Sequence, residues 1–300
     1  MFSFDEISTL QYMGSKSRII HEVCSPIVRN ENISVVVDLF AGSGTIGYAL
    51  KPFFSIVSND LEYYSYVLNE GILNGCVLTD NSFKLILSSC RLLEKELESF
   101  CGDAIIEEAR FFEKTVTNET ILAYQQFCND TPSVISPKTN NAIFNGLAKL
   151  VSKILPGQEK QSIDAPVLFI TYYSNAYFGI RQCCEIDALR KSIEGISDLR
   201  VQHVLLAALM SAMSNTATTT AHFAQFLKIN SISSCKNSIN KRSTSIIDLF
   251  VQYVAEFKDK GLLSTKESKV VCRNLDYLEL LHSIPLDERT MVYADPPYFK

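Results

Sequence analysis

Short apolar runs that end at glycine or at acidic residues stand near both ends of this 300-residue chain. Ser34-Val35-Val36-Val37-Asp38-Leu39-Phe40 is a β-branched apolar run, typical of a strand buried in a parallel sheet. A glycine-rich turn and a helical pattern follow over residues 41–50, and a second strand pattern follows over residues 54–58. Strand, helix and strand in close succession predict a βαβ unit with a right-handed crossover and parallel strands.

Two further strand patterns lie near the C-terminus. Residues 269–272 lead into Asn274-Leu275-Asp276-Tyr277, and residues 290–294 lead into Asp295-Pro296-Pro297-Tyr298. The long middle region has mostly helical periodicity. We therefore predict an α/β fold with a parallel sheet of about four strands and a largely helical inserted domain. The expected bounds are 1–75 and 265–300 for the two parts of the α/β domain, and 76–264 for the insertion.

Composition narrows the class of protein. Hydrophobic residues make up 47% of the chain and charged residues 20%, which excludes a disordered or fibrous protein. The nine cysteines are odd in number and have neither C-x-x-C nor zinc-like spacing, so we expect buried thiols and no metal. No apolar run reaches membrane-spanning length and the N-terminus lacks the basic start of a signal peptide. We expect a soluble, cytoplasmic protein without a membrane partner.

The glycine-rich turn indicates a cofactor site. Gly42, Gly44 and Gly47 have the G-x-G-x-x-G spacing of dinucleotide sites, between a strand and a helix, and Asp38 ends the strand. Asp60 follows the second strand, where α/β nucleotide sites place a carboxylate on ribose hydroxyls. The turn is therefore typical of a site for an adenosine-bearing cofactor. A tight structural turn without a ligand is the alternative.

The segment Asp295-Pro296-Pro297-Tyr298 has a chemistry of its own. Two prolines fix the backbone and remove two N–H donors, so the carbonyls of this loop are directed outwards. The carboxylate and one carbonyl can each accept an N–H from a planar amino group, and the tyrosine ring can stack on the base that carries it. The alternative is a proline turn that merely ends a strand.

Read in order, these segments resemble one family. Tyr12-Met13-Gly14-Ser15-Lys16, then Asp38 to Gly44, then Asn59-Asp60, a long insertion and Asp295 to Tyr298 resemble the Dam-like (alpha-group) DNA adenine N6-methyltransferases. Two segments of the insertion also look like parts of restriction–modification relatives, Asn175–Gly179 and His222–Lys228.

The resemblance implies S-adenosylmethionine as cofactor, a Rossmann-like methyltransferase sheet and double-stranded DNA as substrate. It implies that Tyr12 and Lys16 contact the methionine end of the cofactor and that Asp60 holds its ribose. Asp276 and Tyr277 would then bracket its adenine. The cofactor-binding residues implied by this resemblance are Tyr12, Lys16, Asp38, Phe40, Gly42, Gly44, Asp60, Asp276, Tyr277 and Asp295.

The same resemblance makes Asp295, Pro296, Pro297 and Tyr298 the catalytic loop. Asp295 and the Pro296 carbonyl would accept the two hydrogens of the adenine N6 group, and the flipped base would stack on Tyr298. Three alternatives stay open: methylation of cytosine N4, a non-catalytic DNA-recognition subunit of a split methyltransferase, and, less favoured, a nicotinamide-dependent dehydrogenase. The insertion is the candidate target-recognition region.

Local positive charge is expected at the DNA contacts, since the whole chain has a net charge of −5. From Leu199 through Ile247 the sequence contains no Asp or Glu. Within that stretch we predict DNA contacts by Lys228, Lys236, Lys241 and Arg242. A solvated loop on a helical subdomain is the alternative.

The sequence ends two residues after the predicted catalytic loop, whereas the family continues with further strands. We therefore expect either a fragment of a longer protein or a complementary C-terminal polypeptide, and activity of the 300 residues alone is in question. A cognate restriction endonuclease is a further expected partner.

Overall fold

The structure is a computed structural model that describes residues 4, 7, 10, 19–155, 167–219, 225–265 and 268–296. The described residues contain a sheet of four strands, all parallel, in the spatial order β3-β2-β1-β4. The strands are β1 (Val35–Asp38), β2 (Ser55–Asn59), β3 (Val270–Arg273) and β4 (Thr290–Tyr293). The predicted α/β fold with a parallel sheet of about four strands is confirmed.

The register of the sheet determines which loops meet. Val35 pairs with Ser55 on one side and with Thr290 on the other. The chain runs outwards from β1 to β2 and β3 and then returns to the opposite side of β1 as β4. The order reverses between β1 and β4, and such a reversal opens a crevice at the carboxyl ends of the two strands where ligands of α/β proteins bind.

Helices fill most of the remaining described residues. In chain order they are α1 (Ile20–Val28), α2 (Thr45–Leu50), α3 (Tyr63–Asn69), α4 (Asp80–Glu113), α5 (Asn118–Asp130), α6 (Asn145–Ile154), α7 (Leu168–Tyr172), α8 (Ile180–Glu194), α9 (Leu199–Thr216), α10 (Ile232–Ser243), α11 (Ile246–Asp259) and α12 (Tyr277–Ser283). A π-helical turn, Glu70–Asn74, directly continues α3. A 3₁₀ turn, Ala142–Phe144, precedes α6. Within the described part of the chain, no helix combines the length and apolar character needed to cross a membrane.

The chain forms two compact units. The sheet unit consists of Met1–Thr79, Ile196–Ser211 and Tyr253–Lys300, and the helical unit consists of Asp80–Gly195 and Ala212–Gln252. The stretch expected to be an insertion thus also supplies residues to the sheet unit. The domain bounds drawn from the sequence stay a prediction.

Strand β1 forms the core of the sheet unit. Val36 and Val37 are almost fully buried, as expected for a strand with a neighbour on each side and both faces covered. Val37 and Leu39 pack with Leu280 of α12 in one apolar cluster. The tip of β1 is therefore a rigid support for the loop that follows it.

Buried carboxylates fix helix starts in the helical unit. Glu108 accepts the backbone N–H of Ile180, the first residue of α8, through both oxygens at 3.1 and 3.0 Å. Asp187 accepts the N–H groups of Phe169 and Ile170 near the start of α7 at 3.0 and 2.9 Å. Free N–H groups at a helix start favour negative charge, so these acids order the unit from inside.

Candidate active site

The carboxyl ends of β1 and β4 carry the predicted cofactor and catalytic residues on neighbouring strand tips. Asp38 pairs with Tyr293 in the parallel register. Two residues further along each strand the chain reaches Phe40 and Asp295, and the backbone N–H of Leu39 still bonds the Tyr293 carbonyl at 3.1 Å. The glycine loop and the start of the proline loop therefore leave the sheet at the same edge.

The glycine loop has the conformation that its sequence predicts. Gly42 and Gly44 have φ values of 52° and 75°, in the left-handed region where side chains are strained. Gly44 is the residue before α2, and a Cβ placed on it would lie 2.5 Å from Oδ1 of Asn69. Glycine is thus required at position 44 by both conformation and space.

Asp60 holds the glycine loop in place. Its Oδ2 accepts the backbone N–H of Gly42 at 2.8 Å, and its Oδ1 accepts the N–H of Glu62 at 2.9 Å. An ionised carboxylate has about four acceptor sites, so each oxygen keeps room for another donor. Asp60 thereby has a fixed orientation at the carboxyl edge of β2. Its predicted contact with ribose hydroxyls stays a prediction.

A buried polar network beneath the loop was missed by sequence reasoning. The Gly42 carbonyl accepts the Ser65 hydroxyl at 2.6 Å and the Asn69 side-chain amide at 3.0 Å. Oδ1 of Asn69 accepts the Ser58 hydroxyl at 3.0 Å. Asn69 is the last residue of α3, where the π-helical turn begins, a feature that is frequent at functional sites. The available signal was Asn69, a polar residue between the apolar pairs Val67-Leu68 and Ile72-Leu73.

Asn59 joins the loops that follow β1 and β3. Its side-chain amide donates to the carbonyls of Leu39 and Leu275 at 3.2 and 3.0 Å. Its Oδ1 accepts the Leu275 N–H at 3.2 Å. Asn59 is 1% exposed, so these bonds satisfy a buried amide and fix the distance between the two loops.

Phe40 and Tyr277, two of the predicted cofactor residues, lie against each other. Their ring centroids are 5.6 Å apart with an interplanar angle of 43°. Tyr277 is 41% exposed, and Asp276 caps α12 by accepting the Leu278 N–H at 2.9 Å. The two rings therefore form an accessible aromatic wall beside the glycine loop.

Asp38 is a buried carboxyl group at the carboxyl edge of the sheet. Its side chain is 2% exposed, and Oδ1 has no hydrogen-bond partner among the described residues. Burial, together with the negative charges of Asp60 and Asp295, raises the pKa of Asp38 to about 7. A carboxylate left in this state calls for a cationic or hydrogen-bond-donating ligand.

Comparisons with known proteins identify the family. A family model described as D12 class N6 adenine-specific DNA methyltransferase matches residues 12–300. The chain belongs to this family. The resemblance inferred from the order of the motifs is confirmed. No solved structure gives a significant match to this D12 family member.

Curated relatives of the D12 family member are methyltransferases matched over short segments. The Type II methyltransferase M.NlaIII of Neisseria lactamica is 35% identical over 72 residues, which are 22% of each chain. The Type II methyltransferase M.FokI of Planomicrobium okeanokoites is 33% identical over 61 residues, 20% of this chain and 9% of the relative. The Modification methylase LlaI of Lactococcus lactis subsp. lactis is 30% identical over 66 residues, 21% and 10% of the two chains. The chain thus spans about a fifth or less of these relatives.

The site of the D12 family member fits S-adenosylmethionine in three respects. The orphaned Oδ1 of Asp38 matches the positive charge of that cofactor. The glycine loop has positive φ at Gly42 and Gly44 and no side chain at either position, so its backbone is open to close approach by a ligand. The aromatic wall of Phe40 and Tyr277 offers a surface for an adenine ring.

Some predicted residues cannot be placed. Tyr12, Lys16, Pro297 and Tyr298 lie outside the described residues. Asp295 is half-buried and Pro296 is exposed, directly after β4.

The four predicted DNA-contacting residues differ in accessibility. Lys228 and Lys236 are exposed. Lys241 is half-buried and donates to the Ala217 carbonyl at 2.7 Å, and burial lowers its pKa. Arg242 is 1% exposed and donates to Asn175 and Tyr124, so the structure does not offer it to a phosphate. The predicted contact of Arg242 with DNA is therefore wrong, because its side chain is buried.

We assign no role in this site to a cysteine or to a metal ion. All nine cysteines are free thiols, and burial raises the pKa of Cys24 and of Cys76 to about 11 each, which keeps them protonated. Among the described residues, no three His, Cys, Asp or Glu side chains come together as a candidate metal site.

Proposed function

We propose that the protein transfers a methyl group from S-adenosylmethionine to N6 of adenine in double-stranded DNA. The observation that carries this proposal is the register of β1 and β4, which sets the glycine loop and Asp295 on adjacent strand tips. A cofactor cradle and an acceptor for an amino group are thereby neighbours, as a direct transfer between two ligands requires. The family model, described as N6 adenine-specific, favours adenine over cytosine N4.

The cofactor half of the site divides into three parts. Phe40 and Tyr277 stack on or flank the adenine, and Asp60 uses its remaining acceptor sites for the ribose hydroxyls. Asp38 faces the cationic end and complements its charge. When bound, S-adenosylmethionine supplies an electrophilic methyl group on a sulfonium sulfur.

The catalytic half activates a weak nucleophile. The lone pair of adenine N6 is delocalised into the ring, so the amino group reacts slowly unless the lone pair is localised. The two N6–H groups donate hydrogen bonds to Asp295 and to the Pro296 carbonyl. These bonds localise the lone pair and direct it away from the ring plane. The protein provides positioning and electrostatics in this scheme. In a duplex the base must flip out, and Tyr298 is the proposed stacking partner.

The proposed DNA contacts belong to the helical unit. The exposed face of α10 carries small polar and cationic side chains, and the segment from Leu199 through Ile247 contains no acid to repel phosphates. Lys228 and Lys236 are exposed there, and Lys241 is half-buried. A role in a restriction–modification system, with a cognate endonuclease or a complementary polypeptide as partner and a cytoplasmic location, is part of the same proposal.

Asp295 provides the decisive test. We expect Asp295→Ala to abolish transfer of tritiated methyl groups to DNA, whereas it changes retention of DNA on a filter by less than about twofold. Glu288→Ala, which removes an exposed acid before β4, is the matched control and should keep the transfer rate. The assay compares the two variants with the parent chain under the same conditions. Normal transfer by Asp295→Ala would overturn the assignment.

A further inference from the structure

Four aromatic side chains of the helical unit form a continuous strip. Tyr172 and Tyr173 have ring centroids 6.2 Å apart, Tyr173 and Tyr177 are 5.9 Å apart, and Tyr177 and Phe226 are 5.9 Å apart. The two ends of the strip are exposed, Tyr172 to 38% and Phe226 to 43%. We call these four residues the aromatic strip. Aromatic rings presented in a row at a surface are available for stacking on planar ligands.

Two buried side chains, those of Arg242 and Glu108, form hydrogen bonds with the backbone on the two sides of Tyr177. Arg242 donates to the carbonyls of Asn175 and Ala176 at 2.9 and 3.0 Å, and Asn175 has a φ of 56°, which is uncommon for a residue with a side chain. Glu108 accepts the N–H of Ile180 on the other side of the loop. Tyr177 therefore projects from a loop whose conformation is fixed by two buried side chains.

Positive charge lies beside the aromatic strip. Thr219 pairs with Phe226 in an antiparallel bridge, and the Leu227 N–H donates to the Thr218 carbonyl at 2.9 Å. Lys228 follows as an exposed residue, and Lys241 is bonded to the Ala217 carbonyl of the same paired segment. Phe226, at one end of the aromatic strip, thus belongs to the acid-free stretch from Leu199 through Ile247.

We propose that the aromatic strip binds DNA, with Phe226 and Tyr172 stacking on bases that have left the duplex stack while Lys228 neutralises a neighbouring phosphate. This inference rests on the proposed function and adds to it the surface that receives the distorted DNA. Charge complementarity favours DNA over a protein partner, because the stretch from Leu199 through Ile247 supplies Lys228 and Lys241 and contains no carboxylate. Aromatic side chains also insert at base steps that are unstacked, as base flipping requires.

The chain contains no tryptophan, which allows a direct test. Phe226→Trp introduces a single indole at the end of the aromatic strip. We expect its fluorescence to fall by at least about half when the protein binds a random-sequence duplex with one unpaired adenine opposite an abasic site. Phe53→Trp is the matched control, since Phe53 is 42% exposed and lies before β2, at the amino end of the sheet. Its fluorescence should not change.

Binding constants provide the second arm. Phe226→Ala should weaken binding of the same duplex about tenfold, within the range known for loss of one base–aromatic stack. Lys228→Gln should reduce the salt slope of binding by about one. If the chain binds the duplex and Phe226→Trp is not quenched, the aromatic strip is not the DNA surface, and the methyltransferase proposal stands. If quenching occurs and no methyl group is transferred under any condition, the surface stands and the proposed function fails.

Discussion

At the scale of single residues, Asp38 makes stability depend on pH. Burial, together with Asp60 and Asp295, raises its folded-state pKa to about 7 from an ordinary value of 3.8. The folded chain therefore holds a proton that the unfolded chain releases at lower pH. The contribution of protonated Asp38 to the free energy of unfolding is complete below pH 3.8 and is lost as the pH rises through about 7. Its size is a few kcal/mol, at about 1.4 kcal/mol per unit of pKa shift.

The measurement is urea unfolding of the parent and of Asp38→Asn between pH 5 and 8. Asp38→Asn should lose less stability than the parent over this range, because it has no carboxyl group to ionise. Asp103→Asn, an exposed change on α4, should follow the parent. Equal slopes for all three proteins would contradict the buried, raised pKa of Asp38.

Two glycines should respond in opposite directions to alanine. Gly44→Ala places a Cβ 2.5 Å from Asn69 Oδ1 at a φ of 75°, so it should destabilise the fold by about 1–3 kcal/mol. Gly102→Ala lies within α4 and meets nothing within 4 Å. It should stabilise by about 0.5–1 kcal/mol, because alanine favours a helix. Thermal or urea unfolding measures both, and a neutral Gly44→Ala would refute the role given to the Asn69 contact.

At the scale of elements, the sequence was sufficient to predict the strands and the glycine turn. Period and residue type alone locate β1, α2 and β2, because a β-branched run followed by Gly-x-Gly has few other structures. The network of Ser65 and Asn69 was not predictable in the same way, since it depends on α3 packing under the loop. Contacts between elements that are distant in sequence produce only weak local patterns, so they are difficult to predict from the sequence.

The burial of Arg242 could have been predicted from its position on α10. On α10 the buried residues are Cys235, Ser238, Ile239 and Arg242. Arg242 lies seven residues after Cys235 and therefore on the same face of the helix. Helical periodicity predicts a buried position for Arg242, whereas its charge alone had suggested a contact with DNA. Position on the helix decides such cases.

The position of Arg242 leads to a prediction at this scale. Arg242→Met leaves the carbonyls of Asn175 and Ala176 without their buried donor and removes the positive charge that faces Glu108. Loss of one partner of a buried charged group costs about 3–5 kcal/mol. Lys236→Met, on the exposed face of α10, should stay within about 0.5 kcal/mol of the parent. Equilibrium unfolding distinguishes the two, and equal effects would mean that Arg242 does not support the loop.

At the scale of the whole molecule, the order of the sheet explains why distant segments of the sequence serve one site. Asp38 and Asp295 are separated by most of the chain, yet Asp38 ends β1 and Asp295 follows its paired strand β4. The sequence predicted each segment separately, and the family resemblance suggested that they meet. The strand order β3-β2-β1-β4 supplies the physical reason, because the two parallel strands β1 and β4 are neighbours at the point where the order of strands reverses.

The same arrangement predicts a pH dependence of cofactor binding. Asp60 and Asp295 raise the pKa of Asp38 at the carboxyl edge, and a cationic ligand favours the ionised form of Asp38. A ligand that prefers ionised Asp38 must displace its proton below about pH 7, so S-adenosylmethionine should bind more tightly at pH 8 than at pH 6. S-adenosylhomocysteine, which lacks the sulfonium charge, should show a smaller change.

Titration calorimetry in two buffers of different ionisation enthalpy measures both the affinity and the protons released. At pH 6, binding of S-adenosylmethionine should release a fraction of a proton in the parent and less in Asp38→Asn. Affinity that is equal at both pH values, with no proton released, would show that the buried carboxylate does not face the cation. Because the readout is binding heat, the result does not depend on whether these 300 residues complete a methyl transfer by themselves.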